Sequence, residues 1–114
     1  MKAIIRNSNV VLVGNLMVAD SIFTRMKGLL GRDSLSKGSG LWLKPCKGVH
    51  TFCMKFAIDV VFLNRKNQVV TVMHNLQPNR LTKIFPEAVT VIELPAFSAK
   101  EVNLLTGDTI DIIT

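Results

Sequence analysis

Two six-residue runs, 58–63 and 89–94, are almost wholly apolar, and each carries one carboxylate: Asp59 in the first and Glu93 in the second. Runs this short, rich in Val and Ile and bounded by turn-forming residues, read as strands packed in a core. A carboxylate inside such a strand must meet a partner or face water, because unpaired burial costs several kcal/mol. Two such groups can also form an acid/base pair. The plainer reading turns each toward the wet face of its sheet or against a structural arginine, since charged residues are rarely buried alone.

The rest of the chain follows the same pattern. Strands are expected at 2–6, 10–19, 41–43, 49–54, 69–73 and 109–113, with the segment 64–67 (Asn-Arg-Lys-Asn) as a hairpin connection. Asp20 or Ser21 can cap a helix over 21–31, in which Ile22, Met26, Leu29 and Leu30 share one face. Ser98 with Glu101 three residues later is a capping box and predicts a helix over 98–105. The tally is about seven strands and two short helices, an α+β class that is mainly β. No alternation of strand and helix appears, which disfavours a doubly wound parallel sheet. With 114 residues, 48% of them hydrophobic, the chain can bury one core, so a single domain over 1–114 is expected.

Charge is uneven. The net charge is +6, with about +10 in residues 1–86 and −4 in the remainder. A basic surface attracts nucleic acid or anionic lipid non-specifically. One Trp and no Tyr offer few stacking platforms, so a dedicated single-strand reader has weak support. Lys2 and Arg6 ahead of the apolar segment 10–19 loosely mimic a signal peptide, but Asn9 and Asn15 interrupt it. A β-hairpin arm fits better, and no stretch has the length of a membrane-spanning helix. The expectation is a cytoplasmic monomer with two reduced cysteines.

Candidate chemistry is sparse. Cys46, His50 and Cys53 have a faint metal-site spacing, but a fourth ligand is missing nearby, and on a strand His50 and Cys53 would point to opposite faces. Cys46 with His50 as base is a conceivable nucleophilic dyad, against which stands the ordinary buried thiol. No metal and no cofactor are expected. The Gly28–Gly31 segment lacks the spacing of a phosphate loop, and Gly28 within a helix suggests close approach of another backbone.

Several segments together carry a resemblance. Arg25-Met26-Lys27-Gly28-Leu29-Leu30-Gly31-Arg32 resembles the opening signature of the domain-of-unknown-function 192 family. Pro45-Cys46, Val49-His50-Thr51-Phe52-Cys53-Met54 and Ile58-Asp59-Val60-Val61-Phe62-Leu63 resemble the second, and Glu93-Leu94-Pro95-Ala96 with Gly107-Asp108 the third. The likeness spans about residues 10–113 in order and spacing. Phe97 stands where the family usually has Gly, and Leu30 where Met is frequent. The resemblance implies a small, partly closed β-barrel with a packed helix, and no particular reaction.

Two readings of function follow. In the first, the chain is a non-enzymatic module in which Arg25, Arg32, His50, Thr51 and Asp59 line one polar depression, with Glu93 a further candidate, and hold a small polar or anionic ligand. In the second it is a small hydrolase-like enzyme, with His50 as general base oriented by Asp59 or Glu93. Nucleic-acid association through the basic face is a third, weaker reading. Arg25 and Asp59 are also expected to pair across the helix–strand interface.

Overall fold

The computed structural model describes residues 1–114. Its strands are β1 (Lys2–Ile5), β2 (Val10–Val13), β3 (Asn15–Ala19), β4 (Ser39–Leu43), β5 (Ile58–Leu63), β6 (Val69–Leu76), β7 (Thr90–Pro95) and β8 (Ile110–Ile113). Helix α1 (Ile22–Lys27) lies between β3 and β4, and α2 (Ser98–Glu101) follows β7. The protein is mainly β with two short helices, as the sequence indicates. The eight strands form two sheets and no closed barrel: β2-β1-β8, and β3-β4-β7-β5-β6. All pairings are antiparallel except β3 with β4. No helix is long and apolar enough to cross a membrane.

The five-stranded sheet has a core on each face, which is why β5 is apolar at every position but Asp59: all six of its residues are buried. Val61 and Leu63 face one way, with Ile92 and Leu94 of β7, and pack on Ala3, Ile5, Leu12 and Val13 of the three-stranded sheet. Ile58, Val60 and Phe62 face the other way, with Val91, and pack on Leu29, Leu35, Val49 and Met54 from the connecting segments. Strand β7 pairs with both β4 and β5, placing Glu93 between Leu41 and Val60.

Several local expectations need correcting. The segment 10–19 is two strands parted at Gly14, whose N–H, like that of Asn15, donates to Gly38 O, so the chain passes from one sheet to the other there. Residues 49–54 form no strand; only His50 makes an isolated bridge, to Leu81. The opposed-face argument for His50 and Cys53 therefore lapses. Helix α1 is shorter than 21–31. Ser21 caps it in a reciprocal box with Thr24, and it stops at Gly28, whose φ of 47° and ψ of −123° favour glycine strongly. Its apolar side chains are not packed as their spacing suggests: Ile22, Phe23 and Met26 are exposed, while Leu29 and, in part, Leu30, both beyond the helix, reach the core. Helix α2 ends at Glu101 and has no capping box, because its N-cap is Phe97, in the left-handed region at φ 72°.

Candidate ligand-binding site

Asp59 and Glu93 are both buried, at 0% and 3% exposure, so neither faces water. They lie on opposite faces of the five-stranded sheet. Glu93 is in register with Val60, and successive strand residues alternate faces, so Asp59 points with Val61 toward the three-stranded sheet. There its carboxylate accepts three backbone N–H groups: Asn75 at 2.9 Å, Phe97 at 3.1 Å and Ala99 at 3.0 Å. Asp59 thus supplies the cap that Ser98 does not, and it ties α2 and β6 to β5. The expected Arg25–Asp59 pair is absent. Arg25 lies on the other side of the sheet and donates from Nη1 to Pro45 O at 3.2 Å.

Glu93 faces a cavity of about 120 Å³ beneath the turn that ends α1. The α1 turn from Arg25 to Leu30, Pro45 and Cys46, the stretch 48–50, and Leu43 and Met54 complete its walls. The Glu93 carboxyl has no hydrogen-bond or ion-pair partner in the protein, and burial pushes its pKa up to about 7. A β-carbon at Gly28 would make only ordinary contacts, 3.6 Å to Arg25 O and 3.7 Å to Glu93 Oε1, so it is the positive φ of 47° that calls for glycine here. The close approach of another backbone expected at Gly28 is not found. Arg25 lines the same cavity, and its Nε is buried without an acceptor.

Cys46 and His50 complete the polar lining, but they form no dyad. The Cys46 thiol donates to Gly48 O at 3.1 Å, and burial pushes its pKa up, the wrong direction for a nucleophile. His50 Nδ1 accepts the Phe52 N–H at 3.3 Å, and its ring stacks on Phe52. Cys53 does not line the cavity.

Of the six residues singled out from the sequence, Arg25, His50 and Glu93 come together and three do not. Arg32 is exposed, its Nη2 3.9 Å from Met17 Sδ. Thr51 is fully buried, donating to Gln77 O at 2.6 Å and accepting Arg80 N at 2.9 Å, which clamps the 50s loop to the 77–82 loop. Asp59 is the cap just described. The sequence reading omitted Lys27, Leu29 and Met54 from the site, although a signal was present. Apart from Leu43 and Gly48, every lining residue belongs to the segments 25–32, 45–46, 49–54 and 93–96 that carried the family resemblance.

The sequence pattern of DUF192, described as "Uncharacterized ACR", matches residues 3–112. The chain belongs to the DUF192 family. No match was found among curated proteins. Two solved structures share the fold. A protein of unknown function from Novosphingobium aromaticivorans superposes with a TM-score of 0.87 at 16% identity, covering 98% of this chain and 84% of that one. A protein from Sinorhizobium meliloti, described as a "putative transcription regulator", superposes with a TM-score of 0.80 at 18% identity, covering 96% and 89%. At these identities the likeness to this DUF192 protein is one of fold alone. None of the three comparisons carries a reaction.

Proposed function

We propose that this DUF192 protein is a monomeric, single-domain binding module whose cavity beneath α1 holds a small polar ligand. One observation carries the reading: Glu93 is 3% exposed, lines the cavity and has no partner in the protein. Its carboxyl opens onto the cavity with no protein group to pair it, so a bound group that donates to it takes the place of water there. Arg25 lines the same cavity, and of its terminal guanidinium nitrogens only Nη1 has an acceptor, Pro45 O, so it offers the complementary donor. A half-enclosed, largely apolar pocket with a few convergent polar groups is the usual form of a small-molecule site. The hydrolase-like alternative has less support, because Asp59 is on the other face of the sheet and no hydrogen bond joins His50 to Glu93 or Cys46. The free thiols of Cys46 and Cys53 suit a reducing compartment, in keeping with a cytoplasmic setting.

A thermal-shift screen of small polar compounds tests the reading. A true ligand at 100 times its Kd adds about 2.7 kcal/mol to the stability of the wild type. The same compound is expected to give at least a tenfold weaker response in Arg25→Met, or an altered pH profile in Glu93→Gln. A compound that stabilises all three proteins equally at every pH binds elsewhere and refutes the site.

A further inference from the structure

We infer that the ligand of this cavity is a short-chain carboxylate, whose head meets the Arg25 guanidinium and the Glu93 carboxyl while its chain lies on the apolar wall. The inference rests on the binding-module reading and narrows its ligand class. Three features of the cavity lead to it.

The first is charge. The titratable groups that face the cavity are Arg25 and Lys27 from α1, Cys46 and His50 from the segment after β4, and Glu93 from β7. The lining thus carries two fixed cations and a single carboxyl. Even with Glu93 ionised the lining keeps a positive surplus, and with Glu93 protonated the surplus is larger. An anionic head balances it; an ammonium head increases it.

The second is hydrogen bonding. The site presents donors at Arg25, of which only Nη1 has a partner among the groups of the protein, and a buried carboxyl at Glu93 with none. A carboxylate ligand satisfies both. It accepts from the guanidinium, whose planar fork fits it, and it accepts the proton of neutral Glu93 in a charge-assisted O–H···O bond. The raised pKa of Glu93, about 7, makes that neutral form available near neutrality. Above that pH, binding takes up one proton from water onto Glu93, and no other bond forms or breaks.

The third is size and wall chemistry. A cavity of about 120 Å³ is slightly smaller than one that holds benzene, roughly 150 Å³. It therefore admits on the order of six non-hydrogen atoms, the size of butanoate. Seven of the fourteen lining residues are hydrophobic, Leu29, Leu43, Val49 and Met54 among them. A polyol of that volume would press hydroxyls against these side chains without partners, whereas a propyl chain would not.

The test uses the full chain with ¹³C-methyl-labelled methionine, because Met26 and Met54 both line the cavity. The probes are butanoate, butanamide, butylamine and glycerol. Butanoate is expected to shift both methyl signals at pH 6 and to bind about tenfold more weakly for each pH unit above 7. In Glu93→Gln, whose amide N–H replaces the carboxyl proton, butanoate still binds and the pH slope disappears. Arg25→Met and Arg25→Lys each weaken binding at pH 6 at least tenfold, the lysine variant keeping the charge but not the fork. A His50→Gln control, which removes the imidazole of the cavity, keeps the slope. Preferential binding of butylamine or glycerol, lost or reshaped in Glu93→Gln, overturns the carboxylate inference and leaves the binding reading standing. Butanoate binding with no pH slope in the wild type also overturns it. Methyl signals unmoved by all four probes overturn both.

Discussion

Asp59 and Glu93 occupy equivalent-looking places in two adjacent apolar strands, yet their surroundings differ completely. Asp59 accepts three backbone N–H groups and holds α2 and β6 in place. Asp59→Ala leaves those donors unsatisfied, so the expected loss in urea unfolding is about 3–5 kcal/mol. Because Arg25 does not touch Asp59, an Arg25→Met, Asp59→Asn double-mutant cycle should be additive within about 0.5 kcal/mol. A coupling several times larger would restore the pair expected from sequence. Glu93 behaves in the opposite sense. Its pKa in the folded chain, about 7, exceeds the ordinary value of 4.5, so between these pH values the native state holds a proton that the unfolded state has released. Stability is therefore full below the ordinary value and falls as pH rises toward 7, by roughly 3 kcal/mol in all. Glu93→Gln should remove this slope and be the more stable protein at pH 8. Melting curves between pH 4.5 and 8 check it, and an unchanged slope in the variant would place the titrating group elsewhere. Phe97 shows a residue-scale compromise, a bulky side chain holding a left-handed φ of 72°. Left-handed geometry costs about 1–2 kcal/mol, similar to what half-burying a phenyl ring returns. Phe97→Gly should thus stay within about 1 kcal/mol of the wild type.

At the scale of elements, the two helices owe their existence to different causes, and the sequence displayed only one of them. Helix α1 has a local cap, Ser21 with Thr24, visible in the string itself. It has six residues and buries none of them, so packing adds little to it. Ser21→Ala should cost α1 about 1 kcal/mol locally. The loss should appear as faster hydrogen exchange at Arg25 and Gly28, whose N–H groups donate to Ser21 O and Thr24 O, with little change in global unfolding. Helix α2 looked self-capped through Ser98 and Glu101, but its cap comes from Asp59, thirty-eight residues from Phe97 in sequence. Ser98→Ala should therefore be nearly neutral, within about 0.5 kcal/mol, in contrast to Asp59→Ala. The apolar stripe of α1 was legible as a pattern, but its destination was not. A 3.6-residue period marks a face and cannot say that the helix ends at Gly28 before that face is covered.

For the whole molecule, two cores on opposite faces of one five-stranded sheet share the central strands β5 and β7. Loss of either core should expose the other, so we expect single-domain, cooperative unfolding. Trp42 belongs to the first core and reports it by fluorescence, while the Met54 methyl belongs to the second. Their urea transitions should coincide; separate midpoints would mean two units. The Cα radius of gyration is 12.6 Å, close to the roughly 13 Å of a compact chain this long. Small-angle scattering near that value would support the proposed monomer, and a clearly larger one would refute it.

The mainly β class, the strands β5 and β7, the turn at Asn64, a helix cap at Asp20 or Ser21 and the family were all legible in the sequence alone. Each depends on residues close together in the chain or on a pattern of local period. Asn64 illustrates this, for its side chain accepts Lys66 N and Gln68 N at 2.9 Å, bonds that a four-residue span can make unaided. Which carboxylate would be a cap and which would face a cavity was decided only in three dimensions. Alternation shows that Asp59 and Val60 point opposite ways, but the face that Glu93 shares depends on its register with Val60, a pairing across thirty-three residues of sequence. That register puts Glu93 under the α1 turn with Arg25 and Cys46, and puts Asp59 on the far side of the sheet under the start of α2.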